Sequence, residues 1–74
     1  MEIFYSILTV AKDGSRKTEI VYKSNLTFKR ATKYLEALER LGLIERHENI
    51  WKTSRKGLEF IRDFNKIIKR YSEF

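Results

Sequence analysis

The stretch Thr27-Phe28-Lys29-Arg30-Ala31-Thr32-Lys33 places three cations directly after a residue of the type that caps helices. Lys29 and Lys33 stand four apart, so a helix here sets them on one face, one above the other. The free N–H groups and dipole of a helix start already attract anions. Cations added there extend that attraction to phosphates, and lysine or arginine can donate to guanine O6 and N7 in a major groove. A helix chosen only for stability would carry acids in its first turns, where paired cations are unfavourable. The chemistry on offer is polyanion binding, with double-stranded DNA as the expected ligand.

The surrounding charge points the same way. The net charge is +6, and residues 16–33 hold six cations (Arg16, Lys17, Lys23, Lys29, Arg30, Lys33) against the single acid Glu19. A solvated surface without a polyanionic partner would spread its charge more evenly. Arg16 and Lys17 are expected to touch phosphates, and the hydroxyls of Thr27 and Thr32 join the candidate DNA-binding set. Arg46 and Lys52 flank a second polar turn, where a basic side chain could reach phosphates or the minor groove. Glu36 could accept from a cytosine amino group, but pairing with Arg40 at i, i+4 accounts for it equally well.

Other chemistries fall away. The chain has no cysteine and one histidine, so no metal site is expected. Gly14-Ser15-Arg16-Lys17-Thr18 looks like part of a phosphate loop but lacks the glycine before lysine and the one upstream. His47-Glu48-Asn49-Ile50-Trp51 opens like a zinc-protease motif and ends on tryptophan. No nucleophile, base and acid set is visible, so an enzyme is not expected, nor a cofactor or small-molecule ligand. The first residues lack the basic and apolar regions of a signal peptide, and no apolar run approaches the ~20 residues of a membrane span. The Asn25-Leu26-Thr27 triplet is then a chance glycosylation match. The expected setting is cytoplasmic and nucleoid-associated, with no membrane partner.

These residues need elements to position them. With 74 residues there is room for one domain, over residues 1–74. The absence of proline and the abundance of Leu, Ile, Glu, Lys and Arg favour helices. Ile3, Ile7 and Ala11, with Phe4 and Leu8, predict a helix over residues 2–12, stopped by Asp13-Gly14. Ser15 is expected to cap a short helix over 16–24 with Ile20 and Val21 inward. Thr27 is expected to cap a helix over 28–41. At about 100° per residue, Phe28, Ala31, Leu35, Leu38 and Leu41 fall on its inner side. Lys29, Lys33, Glu36 and Arg40 fall opposite. Gly42 ends this helix, and residues 43–53 read as a β-hairpin turning at Glu48-Asn49, with Trp51 packed on the core. Thr53 or Ser54 caps a last helix over 54–72.

Helix, short helix, turn, longer helix, hairpin, helix is the order of a winged helix-turn-helix domain, mainly α with a small β wing (α+β). The residues also resemble a known family. Lys17-Thr18-Glu19-Ile20-Val21-Tyr22 leads to Leu26, then Tyr34-Leu35, Leu38 and Leu41-Gly42-Leu43-Ile44-Glu45, and finally Trp51-Lys52-Thr53-Ser54-Arg55-Lys56-Gly57. This order is similar to that of the archaeal winged helix-turn-helix DNA-binding proteins, which include predicted transcriptional regulators and small crenarchaeal chromatin proteins. The likeness spans about residues 3–62. It implies DNA binding as a class, and a homodimer joined by C-terminal helices as an antiparallel coiled coil. This chain departs from that pattern in the shortness of its last helix.

The last helix carries a pattern of its own. Phe60, Phe64, Ile67, Tyr71 and Phe74 recur at 4, 3, 4, 3, the spacing of a coiled-coil seam, while Leu58, Ile61 and Ile68 could serve the chain's own core. So many aromatic residues left in water would form an apolar patch of the kind that marks an interface. The expectation is a dimeric transcriptional regulator with the 28–41 helix in the major groove. Two other functions are open: an architectural chromatin protein without sequence preference, and a winged helix used as a protein-interaction module.

Overall fold

The computed structural model describes residues 2–72, with side chains through Lys69. Its elements in chain order are α1 (Glu2–Val10), β1 (Ser15–Arg16), α2 (Lys17–Lys23), α3 (Phe28–Arg40), β2 (Ile44–His47), β3 (Ile50–Thr53) and α4 (Arg55–Ser72). Four helices and a three-stranded antiparallel sheet give the mainly helical winged helix architecture expected from the sequence. Each helix starts or stops within two residues of its expected bound.

The strand β1 is new. It pairs antiparallel with β3, Ser15 opposite Trp51 and Arg16 opposite Ile50, so β3 is central in the order β1-β3-β2. Ser15 therefore does not cap α2. Its hydroxyl instead donates to the Val10 carbonyl at 2.9 Å, and Arg16 occupies the cap position with extended backbone. The Arg16 N–H donates to Glu19 Oε1 at 3.2 Å, the reciprocal half of a capping box.

Those contacts belong to a set that closes the end of α1. The Thr53 hydroxyl donates to the Leu8 carbonyl at 2.6 Å, and the Thr53 N–H to the Ala11 carbonyl at 3.0 Å. With Ser15 on Val10, three carbonyls of the last turn find donors on β1 and β3. The sheet is thus fastened to α1 through helix-end groups that would otherwise be buried without partners.

Both helices of the helix-turn-helix end in Schellman motifs. After α2, Asn25 adopts φ 54°, its N–H donating to Tyr22 O and the Leu26 N–H to Val21 O. After α3, Gly42 takes φ 76°, its N–H donating to Glu39 O and the Leu43 N–H to Leu38 O. Lys56 Nζ adds a donor to the Leu41 carbonyl at 3.1 Å, a cation at the negative end of α3.

The core gathers Ile7, Leu8 and Ala11 of α1, Ile20 of α2, Leu35 and Leu38 of α3, Leu43, Ile44 and Trp51. Ala31 is also fully buried. Phe60 and Ile61 of α4 pack on this core from outside. Two inner-face expectations for α3 do not hold, since Phe28 is 55% and Leu41 51% exposed. Phe28 is the first helical residue, and helical side chains lean toward the N-terminus, so its ring extends past the helix end instead of down onto the core. Leu41 is the C-cap, beyond the last regular turn.

Two expectations for α4 change as well. Leu58 and Ile68 are exposed and do not belong to the core. Phe60 and Phe64 of the expected seam are half-buried in their own chain: Phe64 stacks on Tyr5 of α1 with centroids 4.6 Å apart, and Tyr5 donates to Asn65 Oδ1 at 2.7 Å. Phe74 and the Tyr71 side chain lie outside the described residues.

Candidate nucleic-acid interface

The cap at Thr27 is the anchor of the site. Its hydroxyl accepts from the Arg30 N–H at 3.2 Å, satisfying one of the free donors at the start of α3. Ala31, Leu35 and Leu38 hold the opposite side of the helix in the core. With that side fixed, Lys29, Arg30 and Lys33 are all exposed. Among the described residues none of the three takes part in an ion pair. Bringing these cations to one helix start without a local acid leaves their field directed outward.

Lys17 and Thr32 have a different place from the one their types suggest. Lys17 Nζ donates to Thr32 Oγ1, and that hydroxyl in turn donates to the Phe28 carbonyl at 2.8 Å. Both residues are half-buried. They form a brace from the start of α2 across to the first turn of α3. Lys17 Nζ also lies 6.0 Å from the centre of the Phe28 ring.

The sheet register sorts the two wing cations onto different faces. Arg46 pairs with Trp51 and Lys52 with Glu45, so Arg46 shares the inward face of Trp51, and Lys52 the outward face. Arg46 lies over the Trp51 ring with its guanidinium carbon 5.5 Å from the centroid, and its Nε donates to the Glu48 carbonyl at 3.1 Å. Arg16, Lys17, Thr32 and Arg46 come together along an open cleft between α3 and the wing. Glu36, Glu39 and Glu48 line the same cleft. Glu36 faces this cleft and makes no ion pair with Arg40 among the described residues. Glu39 and Glu48 dilute the positive charge here, as the residue pattern suggests, whereas the exposed Phe28 ring beside this surface was not singled out by it.

His47 sits on the exposed wing with its Nε2 3.5 Å from Glu45 Oε2. Among the described residues no group of three histidine, aspartate or glutamate side chains is placed to hold a metal ion. No described helix is long and apolar enough to cross a membrane.

The chain is similar in structure to Sso10a-2, a DNA-binding protein from Sulfolobus solfataricus, with a TM-score of 0.82 and 24% identity. The match covers 97% of this chain and 80% of that one. It is similar also to BpsR of Bordetella bronchiseptica, whose DNA binding is regulated by 6-hydroxynicotinic acid. There the TM-score is 0.82 at 10% identity, over 96% of this chain and 56% of the other. At these identities the likeness is one of fold. No curated protein sequence matches the chain. The winged helix-turn-helix family model matches residues 1–72, nearly the full length, and its defining parts are those just described: a short helix, a tight turn, a second helix and a hairpin wing. The chain belongs to the winged helix-turn-helix family.

Proposed function

We propose that this protein binds double-stranded DNA with α3 in the major groove, as a nucleoid-associated transcriptional regulator acting in pairs. The observation that carries this reading is the exposed group Lys29, Arg30 and Lys33 at the capped start of α3, opposite a face buried in the core. Arg16, exposed at the cap of α2, would meet the DNA backbone beside it. Thr27 acts as the cap that positions α3, and the Lys17–Thr32 brace holds the two helices at a fixed angle. Pairing through α4 is supported by Ile67, an isoleucine left 53% exposed after the last aromatic contact of α4 with α1.

A titration on random-sequence and promoter duplexes at several salt concentrations tests this. Binding should weaken steeply with salt, because each neutralised phosphate releases counterions. Replacing Lys29 and Lys33 together by alanine should lower the magnitude of the log-log salt slope by about 2 per chain. An unchanged slope refutes the docking of α3. Tighter binding to particular promoters marks a regulator, whereas equal affinity for all duplexes marks an architectural protein. Absence of binding at low salt leaves the fold as a protein-interaction module.

A further inference from the structure

We infer that Phe28 reads the C5-methyl group of thymine in the major groove, an assignment that rests on the DNA-binding reading above. Phe28 is an apolar ring at the first position of α3, more than half exposed, and directly before the exposed Lys29 and Arg30. Its position at the helix start sends the ring outward along the direction in which the helix would enter the groove. A phenyl ring gains nothing from phosphate oxygens. The major groove carries one apolar feature on its unmodified bases, the thymine methyl, and a phenylalanine ring is suited to touch it.

The ring is also held in place. Lys17 Nζ lies over it, and the same ammonium group donates to Thr32 Oγ1, which donates to the Phe28 carbonyl. The α2 side chains Val21 and Tyr22, with Leu26 of the turn, form a shallow apolar groove beside it. The ring's surroundings thus combine a cation on one face with apolar side chains beside it. That combination fits a thymine-bearing duplex better than an acidic protein surface, which presents no methyl group between regularly spaced phosphates.

The test compares alternating adenine–thymine duplexes with the same duplexes carrying uracil for thymine, which removes only the methyl. The wild-type protein should bind the thymine duplex more tightly by about fourfold for each methyl touched. Phe28→Ala should lose that preference and bind the thymine and uracil duplexes equally. Replacing Lys29 and Lys33 should weaken binding to both duplexes by the same factor, leaving the preference intact. Circular dichroism on Phe28→Ala should show an unchanged fold, because the ring lies outside the core. Equal affinity of the wild type for the two duplexes overturns the assignment alone, as does a preference that survives in Phe28→Ala. Failure to bind any duplex overturns the DNA-binding reading itself.

Discussion

Gly57 shows how closely α4 approaches the turn that follows α3. A Cβ at this position would stand 2.1 Å from the Leu43 carbonyl oxygen and 2.5 Å from Thr53 Cγ2. A backbone carbonyl cannot swing aside, and Leu43 O already accepts from the Ser54 N–H. The glycine of the Thr53-Ser54-Arg55-Lys56-Gly57 run is therefore a packing requirement, and Thr53 has its own task as donor to Leu8 O. Gly57→Ala should cost about 1–3 kcal/mol or more through overpacking. Gly42→Ala is the instructive control. It has open space around it but φ 76°, so it should lose only about 1–2 kcal/mol of left-handed backbone preference. Thermal unfolding of the two variants checks the order, and a larger loss at Gly42 would show that the α4 contact is looser than described.

At the scale of elements, the turn between α2 and α3 sets how the recognition helix is presented. Asn25 holds φ 54° there, a conformation asparagine tolerates and a β-branched residue does not. Asn25→Gly should leave stability within about 1 kcal/mol of wild type, whereas Asn25→Val should lose about 1–2 kcal/mol. Urea unfolding measures both, and equal stability of the valine variant would mean that the Schellman turn is not what fixes the angle. Residue pattern alone was enough to read the four helices, the wing and the Thr27 cap, because each rests on local signals: periodicity, a cap, a glycine stop. It could not show β1, a two-residue strand with no period of its own that exists only because Ser15 meets Trp51 across the fold. For the same reason Ser15 looked like a cap, though its hydroxyl is taken by Val10. The cations of α3 were legible, since helical geometry alone puts them opposite Leu35. The division of Arg46 from Lys52 was not, because it depends on strand register. Phe28 was misplaced because a helical wheel gives the angle about the axis and not the lean of a side chain along it, which at the first helical position carries the ring past the helix end.

At the scale of the whole molecule, α4 and α1 differ in length by a factor of two, with 18 and 9 residues. At about 1.5 Å per residue, α4 is longer than α1 by roughly 13 Å, shared between its two ends. The two helices run past each other with Thr53 beside Leu8 and Asn65 beside Tyr5, so about one turn of α1 remains past the level of Phe64. The resulting body is elongated, 41 Å in its long direction against 24 and 19 Å in the others. A domain of this size buries only about 60% of the surface its unfolded chain exposes, and association is a common remedy when disulfides and metals are absent. Ile67 is the side chain on which pairing would rest, since it follows the last aromatic contact with α1 and is 53% exposed. A test at Phe64 would confuse pairing with folding, because Phe64 is stacked on Tyr5 within the chain. Ile67→Glu avoids this. Sedimentation equilibrium should give the wild type twice the 8.9 kDa chain mass and the variant the single mass, with an unchanged circular dichroism spectrum. If the wild type sediments at the single mass across the micromolar range, pairing through α4 is wrong. If pairing holds, the variant should also show about half the salt slope on DNA, because one chain then neutralises half as many phosphates as two.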